Sequence, residues 1–126
     1  ITAAETVQER TSGAVVVSLG ADGGVLVDGR GPVLHADLPV GSIRSAVGAG
    51  DNFLAGYLSA AAQARVDTMG GVDGVDRAVR SAALREAVAW GSVAVRSAGS
   101  VGRRVTDADR RSVRIHTAPD PTRRLP

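Results

Sequence analysis

A valine-rich run near the start of the chain is the feature that most constrains its fold. Residues 14–19 read Ala-Val-Val-Val-Ser-Leu, without the alternation of apolar and polar side chains that a half-exposed strand shows. Such a run is typical of a strand buried on both faces, as in a parallel sheet. Residues 2–10 before it have helical spacing, and a break at 11–13 separates the two segments. A helix followed by a buried strand predicts an α/β fold with a mainly parallel sheet.

Two further strands are predicted after this run. Residues 20–24 are turn formers, and residues 25–28 return as a second strand. A hairpin turn over 28–31 then leads to a third strand at 32–36. Because the third run alternates more clearly between apolar and polar residues, we expect it at an edge of the sheet.

Helical spacing dominates the second half of the chain. The first predicted helix covers residues 51–64, and its expected core face consists of Phe53, Leu54, Tyr57, Leu58 and Ala61. A second helix is predicted over residues 75–95. Thr106 is a suitable N-cap for a short third helix, and residues 113–115 are predicted to form a last strand.

A glycine-rich loop leads into the first of these helices. Residues 45–51 read Ser-Ala-Val-Gly-Ala-Gly-Asp, so a flexible turn delivers one carboxylate, Asp51, to the first helical turn. The unpaired amides and the positive dipole end of such a helix favour anionic oxygens. Asp is also common in a first turn without any function. A dinucleotide fingerprint is not supported, because Phe53 stands at its third glycine position, and a Walker motif is excluded because the chain has no Lys.

Composition limits the classes of function that remain. The 126 residues are 44% hydrophobic, so we expect one packed domain over residues 1–116, and they contain no Cys, so we expect no disulfides. Residues 117–126 are rich in Pro and Arg and are predicted to form a frayed tail. All 15 basic residues are Arg and are interspersed with acids, which makes nucleic-acid binding a weak alternative. No run is long enough to span a membrane and no signal peptide is recognisable, so a cytoplasmic protein is expected. His35 and His116 lack a ligand spacing and are predicted to be ordinary surface residues, with no metal site.

Three stretches together resemble the PfkB (ribokinase-like) carbohydrate kinase family, in particular its 1-phosphofructokinase and tagatose-6-phosphate kinase branch. They are Val-Val-Val-Ser-Leu-Gly-Ala-Asp-Gly-Gly at 15–24, Arg-Ser-Ala-Val-Gly-Ala-Gly-Asp at 44–51 and Ala-Val-Ala-Trp-Gly-Ser-Val-Ala-Val at 87–95. The resemblance extends from the first helix to about residue 115. It implies a ribokinase-like three-layer α/β/α fold with a mainly parallel sheet, of which this chain is the carboxyl-terminal part.

The resemblance also implies roles for individual residues. Asp51 matches the general base that deprotonates the sugar hydroxyl, and the amides of Gly48, Ala49, Gly50 and Asp51 match an anion hole for the transferred phosphoryl group. The nucleotide-binding positions that match are Ser18, Gly20, Ala21, Asp22, Gly23, Gly48, Ala49, Gly50, Asp51 and Ser92. The expected reaction is ATP-dependent phosphorylation of fructose 1-phosphate or a related phosphosugar, with Mg²⁺ on the phosphates and a monovalent cation near the loop.

This sequence departs from the family pattern in two ways. Ala46 stands where the family often has Thr, so one hydroxyl near the nucleotide or cation is missing. The family's amino-terminal half, with most sugar-binding residues, a dimerisation lid and an Asn-x-x-Glu motif associated with Mg²⁺, has no counterpart in these 126 residues. Two interpretations therefore stay open. The chain is either the catalytic part of a sugar-phosphate kinase or a non-catalytic fragment that docks on a missing half or a dimer partner.

Overall fold

The computed structural model describes residues 1–67, 77–97 and 103–119. In chain order these residues form helix α1 (Thr2–Thr11), strand β1 (Val15–Ser18), a short 3₁₀ turn (Gly20–Asp22), β2 (Gly24–Val27), β3 (Leu34–Asp37), α2 (Ala49–Asp67), α3 (Arg77–Arg96), α4 (Asp107–Ser112) and β4 (Arg114–Thr117). The α/β class is confirmed. The predicted helices are present, although the start predicted for the second one, before residue 77, lies outside the described residues.

The described strands form one sheet in the order β1-β2-β3-β4, and every pairing in it is antiparallel. Val16 lies opposite Leu26, and Leu26 lies opposite Leu34. The predicted mainly parallel sheet is therefore wrong for this part of the chain. The physical reason is the short connections β1–β2 and β2–β3, because parallel neighbours need a crossover of about a dozen residues or more.

Burial along the sheet also differs from the sequence-based prediction. β1 is only partly buried and ends the described strand order, whereas β2 is buried along its whole length. β3 was predicted at an edge, yet it lies inside the sheet because β4 returns from the end of the chain to pair with it. As a result His35, predicted at the surface, is only 7% exposed. Apolar content alone does not say which strands acquire neighbours on both edges.

Helix α3 packs on β2 and β3, and α2 lies against α3. Gly56 allows the close approach, since a Cβ at this position would lie 2.9 Å from the Glu86 carbonyl oxygen and 2.9 Å from Trp90 Cγ. The core between helices and strands is built mainly of aliphatic side chains, which include Leu26, Leu34, Leu84, Ala87, Val88 and Val113, together with Phe53. Apolar burial of this kind is the main stabilising term for a domain of this size.

The end of the chain is held by a well-formed helix cap. The Thr106 hydroxyl accepts from the Asp109 amide at 3.2 Å, and the Asp109 carboxylate accepts from the Thr106 amide at 2.8 Å. This capping box confirms the predicted N-cap. Thr117 is the last residue of β4, and residues 120–126 lie outside the described part, so the division into a domain and a tail stays a prediction.

Candidate functional site

A pocket of about 280 Å³ opens where the turn after β1 meets the start of α2 and the second half of α3. Three segments of the sequence that are distant along the chain therefore converge on one concavity. Its lining residues are Ser18, Gly20, Ala21, Gly23, Ile43, Ala46, Ala49, Gly50, Phe53, Val88, Gly91, Ser92 and Val95. A concave, largely apolar site with few polar groups is the usual form of a small-molecule pocket.

The turn after β1 owes its shape to Gly23. The Leu19 amide donates to the Gly23 carbonyl oxygen at 2.8 Å, and the Gly23 amide donates to the Gly20 carbonyl oxygen at 3.2 Å. Gly23 has φ 84° and ψ −121°, a conformation that residues with a Cβ rarely adopt. A Cβ there would also overlap the Ala36 carbonyl oxygen and lie 2.9 Å from Asp37 Cα. Only glycine fits at position 23 in this wall of the pocket.

The second wall is the start of α2. Gly48 has φ 78°, and its carbonyl oxygen accepts from both the amide and the side-chain nitrogen of Asn52, at 2.9 and 2.8 Å. The Asn52 amide closes the first turn of the helix, so the amides of Gly50 and Asp51 come before the first helical hydrogen bond and have no acceptor inside the helix. Together with the helix dipole they favour an anionic group at this end of the pocket.

The loop before α2 is anchored to the third element of the site. The amides of Arg44 and Ser45 both donate to the Val95 carbonyl oxygen in the last turns of α3, at 2.7 and 3.2 Å. Close packing continues at Gly91, where a Cβ would lie 3.4 Å from the Ala49 carbonyl oxygen. The glycine-rich loop is thereby held against α3, and the pocket lies between them.

Most of the residues singled out in the sequence are brought together here. Those that line the pocket are Ser18, Gly20, Ala21, Gly23, Ala49, Gly50 and Ser92. Asp22, Gly48 and Asp51 do not line it. Asp51 is exposed in the first turn of α2, directly after the pocket-lining Gly50. The Asp22 carbonyl oxygen is hydrogen-bonded to His35 Nε2 at 2.7 Å.

Sequence reasoning missed the apolar lining of this pocket. Ile43, Phe53, Val88 and Val95 contribute it. Ile43 lies two residues before the glycine-rich loop at 45–51, and the two valines belong to the motif at 87–95. Their position in or near a motif could have indicated that they line the pocket. The sequence does not show, however, which apolar residues near a motif face a cavity and which face the core.

The electrostatic character of the pocket comes from its backbone. None of the side chains lining it in the described part of the chain is charged. An anionic ligand would therefore be held by main-chain amides and the helix dipole. The absence of charged side chains from this lining also affects magnesium binding, because Mg²⁺ prefers carboxylate and water oxygens. These lining residues supply no carboxylate, so they fit phosphate oxygens better than they fit a bare magnesium ion.

A second, more open groove of about 640 Å³ lies between β1 and the exposed side of α2. Its lining residues are Ala14, Val16, Leu54, Tyr57, Leu58, Ala61, Ala62, Arg65 and Arg80. Leu54 and Leu58 are each 56% exposed. Both were predicted to lie on the core face of this helix, and within the described structure that prediction is wrong. The groove leaves an apolar helix face next to the outer strand of the described sheet.

Comparison with known proteins assigns the chain to a family. The family model described as pfkB family carbohydrate kinase matches residues 1–105, which include the loop, its Asp51 and all three walls of the pocket. The chain belongs to the pfkB family of carbohydrate kinases. The family resemblance read from the three motifs is therefore confirmed. A search of curated proteins finds no match.

Solved structures of kinases resemble this pfkB chain in fold. A protein assigned as a phosphofructokinase, from Staphylococcus aureus, is 26% identical with a TM-score of 0.57, over 82% of this chain and 29% of that one. Phosphofructokinase-2 from Escherichia coli, solved with potassium, is 24% identical with a TM-score of 0.61, over 87% and 31%. A fructokinase double mutant from Vibrio cholerae, solved with fructose, ADP and potassium, is 22% identical with a TM-score of 0.62, over 79% and 30%.

The pfkB chain spans about a third of the length of the solved kinases that it matches. It therefore matches only part of the fold of these kinases. Among the described helices, none is both long and apolar enough to cross a lipid bilayer.

Proposed function

We propose that this chain is the nucleotide-binding, catalytic-base part of a kinase that transfers the γ-phosphoryl group of ATP to a phosphosugar. The observation that carries the proposal is the convergence of the turn after β1, the start of α2 and residues of α3 on one pocket beside Asp51. Family membership supports carbohydrate phosphorylation in general, and the details below go further than that.

Asp51 is proposed as the general base. It is exposed at the amino-terminal end of α2, next to a residue that lines the pocket, so a sugar hydroxyl could reach it from solvent. A carboxylate placed there can accept the hydroxyl proton as the oxygen attacks the γ-phosphorus and the bond to the ADP oxygen breaks. The amides of Gly48, Ala49, Gly50 and Asp51 are proposed as the anion hole, of which Gly50 and Asp51 have no helical acceptor.

ATP is proposed to lie along the wall formed by Ser18, Gly20, Ala21, Asp22 and Gly23, with Ser92 on the adenine side. The absence of side chains at the glycines lets phosphate oxygens approach the main chain. The apolar residues on the α3 side, Val88 and Val95, suit a flat heterocycle. Mg²⁺, when bound, would offset phosphate charge, and its protein ligands would come from outside the lining described here. A monovalent cation near residues 44–51 is part of the same proposal.

The proposed acceptor is fructose 1-phosphate, which would become fructose 1,6-bisphosphate. This choice rests on the likeness of the three motifs to the 1-phosphofructokinase branch. It is compatible with the phosphofructokinases among the structural relatives. No residue that discriminates between phosphosugars is identified in the described pocket, so a related phosphosugar is tested alongside.

A second candidate is a non-catalytic fragment that lacks the sugar-binding half. Two observations favour it. The apolar groove around Leu54 and Leu58 is open, and the chain spans about a third of the related kinases. A domain that buries such a face against another segment or a dimer partner would be incomplete alone. In this reading the pocket could still bind nucleotide without turnover.

The two candidates are separated by measuring turnover and binding on the same chain. A coupled assay with ATP, Mg²⁺ and fructose 1-phosphate, repeated with tagatose 6-phosphate, reports phosphoryl transfer. Calorimetry with ATP reports binding. The decisive variant is Asp51→Asn, and its matched control is Asp107→Asn, because Asp107 is also an exposed carboxylate in the first turn of a helix.

If the chain is a kinase, Asp51→Asn should lower turnover by about 10²–10⁴-fold, the usual worth of a general base, while ATP binding is retained. Asp107→Asn should leave turnover unchanged. Turnover retained in Asp51→Asn would refute the assigned base. ATP binding without turnover of either phosphosugar would favour the fragment, and absence of ATP binding would refute the nucleotide pocket itself.

A further inference from the structure

Three potential metal ligands, none of which lines the pocket, meet on one face of the sheet. His35 and Asp37 are two residues apart on β3, so their side chains lie on the same face. His116 on β4 lies directly opposite His35 in the pairing register. The two imidazole rings are stacked with centroids 5.5 Å apart, and one donor atom from each of the three residues lies within 4.8 Å of the others.

We propose that His35, Asp37 and His116 bind one divalent transition-metal ion of the zinc class. Two imidazoles and one carboxylate match the ligand set of zinc sites that keep a fourth position for water. Donors around a tetrahedral zinc are separated by roughly 3.4 Å, given bonds of about 2.0–2.2 Å. Small side-chain rotations would close the present spacing to that value without moving the strands.

His35 makes a hydrogen bond of the kind that orients metal-ligating histidines. It is 7% exposed, and its Nε2 donates to the Asp22 carbonyl oxygen at 2.7 Å. Because a carbonyl oxygen only accepts, Nε2 carries the hydrogen in this tautomer and Nδ1 carries the lone pair. Metal-ligating histidines are commonly oriented by a hydrogen bond of this kind to a backbone carbonyl.

Asp37 now pairs with a cation that a metal ion would replace. Arg114 donates to its two carboxylate oxygens at 2.8 and 2.9 Å, and His116 Nε2 lies 3.5 Å from Oδ1. The Arg114 side chain is 58% exposed and can turn into solvent.

Metal binding would add a second link between the last strand and its neighbour in the sheet. β4 is one of the two outer strands of the described sheet, and the ion would bridge it to β3 through His116. An ion that binds only the folded chain stabilises it by mass action. The melting temperature should therefore rise with the zinc concentration.

The test is zinc titration of the whole 126-residue chain, prepared without a histidine tag. His35 and His116 are its only histidines and it has no Cys, which makes the assignment of a binding signal direct. Calorimetry measures affinity and stoichiometry, and the visible spectrum with Co²⁺ reports the ligand geometry. The variants are His116→Ala, Asp37→Asn and Arg114→Ala, with Asp107→Asn as the control carboxylate.

One zinc per chain is expected. Removing a residue that only orients a metal ligand weakens metal binding by about 10–100-fold. His116→Ala and Asp37→Asn remove a ligand itself, so each should weaken zinc binding at least as much. Arg114→Ala should tighten binding by up to about fivefold, because an exposed competing ion pair is removed. Asp107→Asn should change nothing. Circular dichroism checks that each variant is folded.

Absence of zinc binding to the wild-type chain would overturn the proposal. An affinity unchanged in His116→Ala or in Asp37→Asn would overturn the three-ligand site. If either of these variants fails to fold, Arg114→Ala decides the question, since weaker binding in that variant would contradict competition for Asp37.

Discussion

Gly23 offers the sharpest test of how the turn after β1 is built. Replacing it with Ala should destabilise the fold in two distinct ways, through the backbone conformation and through steric overlap. The backbone angles, φ 84° and ψ −121°, belong to a region used almost only by glycine, and forcing another residue into it costs of order 1–3 kcal/mol. The new methyl group would also overlap the Ala36 carbonyl oxygen. Overpacking of a tight site typically adds about 1–3 kcal/mol.

Gly23→Ala should therefore lower the free energy of unfolding by roughly 2–6 kcal/mol, against a typical total of about 5–15 kcal/mol for a domain. Gly20→Ala is the matched control, because Gly20 lies in the same turn with φ 61° and a Cβ added there would have no neighbouring atom within 4 Å. Gly20→Ala has the unfavourable backbone conformation but no steric overlap. We therefore expect it to lose about 1 kcal/mol of unfolding free energy.

Urea unfolding followed by circular dichroism measures both variants under the same conditions. The midpoint should fall much further for Gly23→Ala than for Gly20→Ala, with similar denaturant slopes. Equal losses in the two variants would refute the reasoning, because the overlap with Ala36 is what distinguishes them. A smaller loss in Gly23→Ala than in Gly20→Ala would also contradict it, because β3 would then move away from the new methyl group at no significant cost in free energy.

Two further predictions concern the cap of α4 and the open groove. Asp109→Ala should lower the free energy of unfolding by about 2–3 kcal/mol, from the lost cap and the charge-assisted bonds from Arg103, whereas Asp107→Ala should cost under about 1 kcal/mol. Hydrogen bonds from Arg103, with those from the capping residue, hold the pKa of Asp109 well below its usual range. The stabilisation is therefore present at neutral pH and is lost as the pH falls below about 4. Urea titrations should show a smaller difference in unfolding free energy between wild type and Asp109→Ala at pH 3 than at pH 7. Leu54→Ser combined with Leu58→Ser should reduce hydrophobic-dye fluorescence and self-association in sedimentation experiments, with a stability change within about 0.5 kcal/mol per site; a large loss of stability would contradict their exposure.

Local patterns predicted the helices and the cap well. The helix predicted over 51–64 is observed as Ala49–Asp67, and the one predicted over 2–10 is observed as Thr2–Thr11. Thr106 was identified from its residue type and position alone, and its capping box is present. Helix periodicity and capping involve residues a few positions apart, so the sequence carries most of the information that they need.

The three motifs were also sufficient for the family and for most of the pocket. Ser18, Gly23, Gly50 and Ser92 were named from the sequence and line one cavity. Their roles in phosphoryl transfer, and that of Asp51, stay predictions. The group formed by His35, Asp37 and His116 was not foreseen, because the two histidines are far apart along the chain and meet only through strand pairing.

The α/β class, the positions of the helices and the family follow from the sequence alone, because they depend on local periodicity and on contiguous motifs. The strand directions, the central place of β3 and the exposure of Leu54 and Leu58 come from the tertiary structure, since they depend on which segments become neighbours. The same valine run can be a buried parallel strand or a partly exposed antiparallel one, because its burial is set by the partners at its edges and faces. The sequence of the glycine-rich loop predicts a helix start with free amides. The loop becomes one wall of a pocket only because the turn after β1 and the end of α3 lie next to it in the tertiary structure.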